Sequence, residues 1–434
     1  MAEYSSSLLS LSAWKQRLVF WLGAVFVGLL IVAMTLLSEW AGETYRKLSE
    51  QFFFFNFIVA PVGLSITAWL TFRFFPGSER SGIPQVKTAL ELTGDLSQRH
   101  RLLSLKILFA KMLLPIMGLL SGASVGFGGP ATHVGASMMI SLGKAVRFPK
   151  HYMDRGLILA GSAAGFAAMF SAPLAGIIFA IEEMGRALEE KVSSLVLTAI
   201  VFSGMTAYAF FNSYIFFSDK VLFMPWGKSW LCIPVCGLAG GLMGGLFSKM
   251  IVAGGKWLKR TGFSIVTIAF VSGGIIAILG FYSHGNSFGT GYQQAKLILT
   301  GQQAIDPFFP LYKMLATCAT FFSGIPSGIF VPSIATGAGI GANLAHWLPI
   351  APAEIMILLS ITAYFSGMLQ SPLTSFVIVM EMTNSNEILI PLMAVAFIAT
   401  GTSKLINPTP LYRALCDSYT PPEKKQPAHE EAEK

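Results

Sequence analysis

The stretch from Met112 to Gly143 constrains this chain more than any other: it is apolar, carries no formal charge, and is interrupted near its centre by GFGGPATHVG (Gly126–Gly135). Four glycines and a proline in ten residues oppose a continuous helix. Gly costs ~1 kcal/mol and Pro ~3 kcal/mol relative to Ala in a helix interior. A helix that restarts at membrane depth leaves roughly four backbone N–H groups without intrahelical partners and carries about half a positive charge at its N-terminus. In hydrocarbon such donors are costly unless something polar meets them. An anion would do so.

The rest of the chain supports a bilayer setting. Of 434 residues, 53% are hydrophobic and 12% charged, and mean hydropathy is +0.63, which excludes an ordinary soluble domain. Uncharged stretches long enough to span are Leu18–Ser38, Gln51–Phe72, Gly156–Ile181, Val192–Ser218, Ser229–Ser248, Ile355–Met380 and Ile388–Ser403. Glu39 and Trp40 follow the first in place of a small-residue cleavage site, so it reads as a retained helix. The net charge of +8 comes from basic residues read as inter-helix loops: Arg80, Lys87, Arg99, Arg101 and Lys106, then Lys144, Arg147, Lys150 and Arg155, then Lys249, Lys256, Lys259 and Arg260. Loops of that kind belong on the cytoplasmic side and do not indicate nucleic acid. Cys232, Cys236, Cys318 and Cys416 have no metal-ligand or disulfide pattern, and no metal or cofactor is expected. HExxH is absent, which argues against a zinc-dependent intramembrane enzyme.

The chain is internally duplicated. APLAGIIFAIEEM (Ala172–Met184) parallels SPLTSFVIVMEMT (Ser371–Thr383), each with Glu nine residues after Pro. Upstream, GFGGP (Gly126–Pro130) parallels GIFVP (Gly328–Pro332), and the Pro-to-Pro separations are 43 and 40 residues. Matched, broken apolar segments in two halves point to a midplane ion site between repeats. Two opposed half-helix N-termini can hold an anion without a full positive charge, which lets it leave again.

These segments, with RSGIP (Arg80–Pro84) and PLYRAL (Pro410–Leu415), resemble the signatures of the CLC chloride channels and proton/chloride antiporters. The resemblance runs from the first span to Leu415. It implies an all-α membrane protein with two inverted-topology repeats of tilted and half-spanning helices, roughly 50–215 and 225–420 within a transmembrane domain of 1–420. It also implies a homodimer with one pore per subunit, a multi-pass location in a bacterial inner membrane, and both termini cytoplasmic. The polar stretch 421–434 is expected to be a short tail, too small for a CBS domain.

Carried over residue by residue, Ser81 takes the place of the family's ion-coordinating serine, and Tyr412 that of the tyrosine closing the central site. Ile329 and Phe330 match residues whose backbone amides face the same chloride, and Phe127, Gly128 and Gly129 supply the outer amides. Serine in place of proline at position 81 argues for chloride over nitrate.

The departures are informative. The family usually reads GREGP or GKEGP where this chain reads GFGGP. Gly128 therefore stands at the external gating glutamate, with no side chain to block the site or carry a proton. Phe127 replaces the basic neighbour. Glu183 matches the internal proton-transfer glutamate; by itself it reads as a carboxylate at a cytoplasmic helix end. Arg80 replaces a glycine, where it can attract anions or pair with Glu79. His133 reads as a packing histidine, Lys111 as marking the cytoplasmic end of a span, and Glu381 as structural, at the opposite membrane face from Glu182.

The function expected is passive, uncoupled conduction of chloride. Proton-coupled exchange using His133 or Glu79 as substitute acid, and a preference for fluoride or another small anion, are the alternatives.

Overall fold

The computed structural model describes residues 11–52, 54–92, 96–146, 153–185, 194–211, 222–302, 306–383, 386–417 and 419. The tail 421–434, loop residues Arg147 and Lys150, and part of Val192–Ser218 lie outside them. Eighteen α-helices form among the described residues. The first half contains α1 (Leu11–Gln51), α2 (Phe55–Phe74), α3 (Ile83–Glu91), α4 (Leu96–Leu102), α5 (Leu105–Leu120), α6 (Gly128–Ala145), α7 (Met153–Phe170), α8 (Pro173–Phe179) and α9 (Ser194–Phe211). The second contains α10 (Cys232–Thr261), α11 (Ile265–Tyr282), α12 (Tyr292–Leu299), α13 (Phe309–Phe322), α14 (Phe330–Trp347), α15 (Ala353–Leu369), α16 (Pro372–Thr383), α17 (Leu389–Ile406) and α18 (Leu411–Cys416).

Five helical segments are long and apolar enough to cross a membrane: Arg17–Gln51, Phe55–Phe74, Lys228–Thr261, Ile265–Tyr282 and Asn386–Ile406. The shorter helices lie between them, and α15 is buried along Ile355–Leu369. The protein is thus an all-α membrane fold in which α15 is shielded by its neighbours α10, α14 and α17.

Both expected breaks are present. Met112–Gly143 divides into α5 and α6, and the chain around GIFVP (Gly328–Pro332) into α13 and α14. The residues before the new helices adopt nearly the same backbone, Phe127 at φ −111, ψ −8 and Ile329 at φ −113, ψ −7. Proline follows soon after each start, where its missing N–H is harmless.

Two stretches read as single spans are divided instead. Gly156–Ile181 breaks at Ser171 (φ +47) and Ile355–Met380 at Gln370 (φ +57). The cause is Pro173 and Pro372 two residues later, each opening a new helix that its ring can start but not continue. The breaks recur at matching positions, so α5 to α8 and α13 to α16 are corresponding series.

α6 packs on α7 and α14 on α15, while α8 lies against α16. The α8 helix ends in a π-turn, Ala180–Met184. Glu182 accepts hydrogen bonds from the N–H groups of Leu373 (3.1 Å) and Thr374 (2.7 Å) at the start of α16. Glu381, at the end of α16, accepts from Leu174 (3.1 Å) and Ala175 (2.8 Å) at the start of α8. Each carboxylate caps the other repeat's helix, and the two lie at opposite ends of an antiparallel pair.

Candidate functional site

The two half-helices begin on a shared seam. Gly126 N–H donates to Gly328 O at 2.8 Å and Gly328 N–H returns the bond to Gly126 O at 2.7 Å. Beside it, Arg80 N–H donates to Ile325 O and Ser327 N–H to Arg80 O, both at 3.2 Å. Neither α6 nor α14 has a side-chain cap on its first-turn amides. Their N-termini converge where positive potential is left over.

Ser81 is fully buried against the start of α6: a Cβ on Gly129 would overlap its hydroxyl. The Ser81 Oγ has no hydrogen-bond partner, and neither does the buried phenol of Tyr412. The two hydroxyls lie near each other without the geometry of a hydrogen bond. Buried hydroxyls usually have partners, so two neighbouring orphans are candidates to donate to a bound acceptor.

Aromatic rings close the site. Phe330 stacks on Tyr412 at 6.1 Å between centroids and 13° between planes. It meets Phe166 edge-on at 5.4 Å and Phe365 at 5.1 Å. A Cβ on Gly128 would lie 3.2 Å from Phe330 Cγ and 3.3 Å from the Phe170 ring. Gly128 thus opens toward the same ring cluster that surrounds Tyr412. Phe127 is fully buried, and Ile329 is nearly so.

Arg80 has a left-handed backbone, φ +59, which costs a non-glycine residue roughly 1–3 kcal/mol. Its guanidinium lies 5.3 Å over the Phe321 ring rather than on Glu79, whose Oε2 accepts from Gly77 N–H at 2.8 Å. Arg80, Ser81, Pro84, Phe321, Leu415 and Tyr419 line a small cleft beside Ser81.

Lys111 does not mark a helix end in water. It is fully buried, and its ammonium donates to Arg80 O at 2.6 Å and Glu79 O at 3.2 Å, pinning the loop that presents Ser81. Lys313 does the same in the second repeat, donating to Gly289 O (2.8 Å), Ser287 O (3.0 Å) and Phe288 O (3.3 Å). The sequence reading missed Lys313; its signal was the tripeptide Lys-Met-Leu, present at both 111–113 and 313–315.

Lys87 and Arg99, expected in a solvated loop, are buried. Lys87 Nζ pairs with Glu183 Oε1 at 2.6 Å, and Ser371 Oγ donates to Glu183 Oε2 at 2.6 Å. Glu183 thus lies at a helix end, in the turn that closes α8, but is buried and paired. His133 is buried, with Nε2 bonded to Leu102 O at 3.0 Å and Nδ1 to Ser137 Oγ at 3.3 Å. A carbonyl can only accept, so Nε2 carries a proton toward Leu102, and the ring is held on both sides as a packing histidine is.

A family model described as "Voltage gated chloride channel" matches residues 62–404. The curated relatives include an H(+)/Cl(-) exchange transporter ClcA of Yersinia pestis bv. Antiqua, 27% identical over 418 residues, covering 90% of this chain and 85% of its own. Among solved structures, a slow cyanobacterial Cl-/H+ antiporter superposes with a TM-score of 0.77 at 22% identity, covering 92% of this chain and 97% of its own. A CLC-type fluoride/proton antiporter gives 0.76 at 21% identity, with 93% and 98% covered.

Proposed function

The chain belongs to the voltage gated chloride channel family, and from that premise we propose that it moves chloride or another small anion through the bilayer passively, without proton coupling. The observation that carries the second part is Gly128. At the start of α6, between Phe330 and Phe170, there is no carboxylate to compete with the anion or to carry a proton. Stoichiometric exchange requires one place that proton and anion contest.

In this reading a dehydrated halide sits between Ser81 Oγ and Tyr412 OH, facing the amides at Ile329 and Phe330. The amides at Phe127, Gly128 and Gly129 hold a second, outer anion. Arg80 raises the local anion concentration by electrostatic focusing. Lys111 contributes as a positioning residue through the carbonyls of Glu79 and Arg80. The protein works as a homodimer with one pore per subunit, in a bacterial inner membrane with cytoplasmic termini, and needs no cofactor.

Coupled exchange is the second reading, favoured by the exchanger and antiporter names of the relatives and structural neighbours. Its substitute acids are already engaged, His133 by Leu102 and Ser137 and Glu79 by Gly77. Purified protein in liposomes separates the two. Passive conduction predicts anion flux varying little between about pH 4.5 and 7.5, the carboxylic and histidine range, and no uphill proton movement. Proton pumping driven by a chloride gradient would establish exchange, and the absence of anion flux would remove both.

A further inference from the structure

Glu183 lies where three segments meet. The π-turn that ends α8 sends its two consecutive carboxylates in different directions: Glu182 onto the amides that open α16, Glu183 inward. Insertions of this kind frequently mark functional positions, because they re-aim side chains. Inside, Glu183 meets Lys87, one turn into α3 from Ile83, and Ser371, just before α16. Lys87 and Glu183 are both buried, with side chains 8% and 3% exposed. Each carboxylate oxygen has a donor at 2.6 Å.

A proton relay needs its carboxyl to visit the neutral state. Here that step would leave the Lys87 ammonium buried without its counter-charge, the costliest way to break an ion pair. It would also confine the carboxyl proton to the oxygen facing Ser371, whose hydroxyl would have to turn from donor to acceptor, because a lysine can only donate. Among the described residues, the ionisable groups beside the pair include Glu91, one turn on from Lys87 in α3, Tyr412 and Cys416 on α18, and Glu182, whose oxygens are occupied at α16; the ion pair that Lys87 makes is with Glu183.

We infer that Lys87 and Ser371 lock Glu183 as a fixed carboxylate that neither takes up nor releases a proton during transport. The proton path is then interrupted at two places, at Gly128 and at the Lys87–Glu183 pair. The pair serves as a staple between α3, which follows Ser81, and the start of α16. This rests on the reading of Gly128 above, and makes a separate demand: installing the missing outer carboxylate does not restore coupling by itself.

The test uses the full chain in liposomes and compares Gly128→Glu with Gly128→Glu/Lys87→Gln, using Lys87→Met where the glutamine variant does not fold. The lock predicts no uphill proton movement for Gly128→Glu and measurable chloride-driven proton movement for the double variant. Proton pumping by Gly128→Glu alone would overturn the lock while leaving the uncoupled reading of the parent intact. Pumping by the unmodified protein would overturn that reading itself. A double variant that carries chloride but moves no protons would also overturn the lock. Infrared difference spectra against Glu183→Gln give a second readout that needs no transport. The parent should show no protonated-carboxyl band from Glu183 between about pH 4.5 and 7.5, and Lys87→Gln should show one that titrates. A Glu183 carboxyl band in the parent over that range would defeat the proposal.

Discussion

Gly126 and Gly328 exchange both of their backbone hydrogen bonds, although 202 positions separate them in the chain. Around this seam the Gly-x-x-x-Pro spacing acquires a physical meaning. A Cβ on Gly126 would lie 2.8 Å from Pro332 Cδ, and one on Gly328 would lie 3.1 Å from Pro130 Cδ. Each proline, in the first turn of its own helix, packs on the other repeat's glycine. The motif is therefore half of a two-part joint that aims two helix N-termini at one place.

The seam predicts that Gly126→Ala and Gly328→Ala are each destabilising by ~1–3 kcal/mol, the usual cost of overpacking. Gly255→Ala, in α10 with nothing within 4 Å of the added methyl, should be neutral or stabilising by up to ~1 kcal/mol. Thermal unfolding in detergent compares all three. Equal effects at Gly126 and Gly255 would contradict the joint.

Ser81 and Tyr412 should behave as ligand groups rather than as parts of the packing. Their hydroxyls have no protein partner, and a buried unsatisfied group costs ~1–3 kcal/mol, so Ser81→Ala and Tyr412→Phe should fold at least as stably as the parent without chloride. Chloride raises stability only through sites it occupies. Both variants should therefore lose part of the rise in unfolding temperature that chloride gives the parent. Loss of one neutral hydrogen bond, ~0.5–1.5 kcal/mol, corresponds to several-fold weaker binding. Gly129→Ala should weaken it further by displacing Ser81, and Ser81→Pro should shift preference toward nitrate. An undiminished chloride-dependent shift would remove Ser81 and Tyr412 from the site.

Lys111 and Lys313 are equivalent in structure and should differ in consequence. Replacement of Lys313 by Met takes the lysine donor from three carbonyls, whereas at position 111 Glu79 O keeps Gln85 Nε2 and Arg80 O keeps Ser327 N–H. Each unsatisfied buried group costs ~1–3 kcal/mol, so Lys313→Met should be clearly destabilised and Lys111→Met less so. The carbonyls freed at position 111 belong to the loop carrying Ser81, so Lys111→Met should also lower anion flux per folded molecule. Lys313→Met should affect flux less. Flux measured at matched folded protein decides between a shared structural role and this asymmetry.

The breaks at Gly128 and Phe330 were legible because glycine and proline act locally on the helix that contains them. The same local rule at Pro173 and Pro372 was available but was outweighed by unbroken hydropathy, so two pairs of helices read as two spans. Lys87, Lys111 and Lys313 were not legible as buried groups. What permits a buried ammonium is a carboxylate or carbonyl delivered by another segment, from 24 positions away for Gly289 to 96 for Glu183. Hydropathy along the chain records the charge and not its partner. Repetition was the remaining signal, and Lys-Met-Leu carried it.

Glu182 and Glu381 should contribute as caps. Each accepts from two amides at the opposite repeat's helix start, and caps of this type contribute ~0.5–2 kcal/mol. Glu182→Gln and Glu381→Gln should each lower the unfolding temperature. Because the two caps share no partner, the double variant should lose the sum to within about 0.5 kcal/mol. A large coupling energy would show that the α8–α16 pair responds as one unit.

Gly128→Glu should install a gate whose sign is fixed by its charge. The new Cβ would meet Phe330 and Phe170 at 3.2–3.3 Å, so those rings must give by a few tenths of an ångström, and the carboxylate then lies beside the α6 amides. A carboxylate charged above its ordinary pKa of ~4.3 mimics the anion and competes for those amides. It becomes neutral and withdraws that competition below it. Anion flux through the variant should therefore be small near neutrality and rise as pH falls, whereas the parent should be nearly flat. Gly128→Gln, similar in size and without charge, should lower flux without introducing pH dependence. A pH-dependent parent, or a glutamine variant that titrates like the glutamate, would place the gate elsewhere.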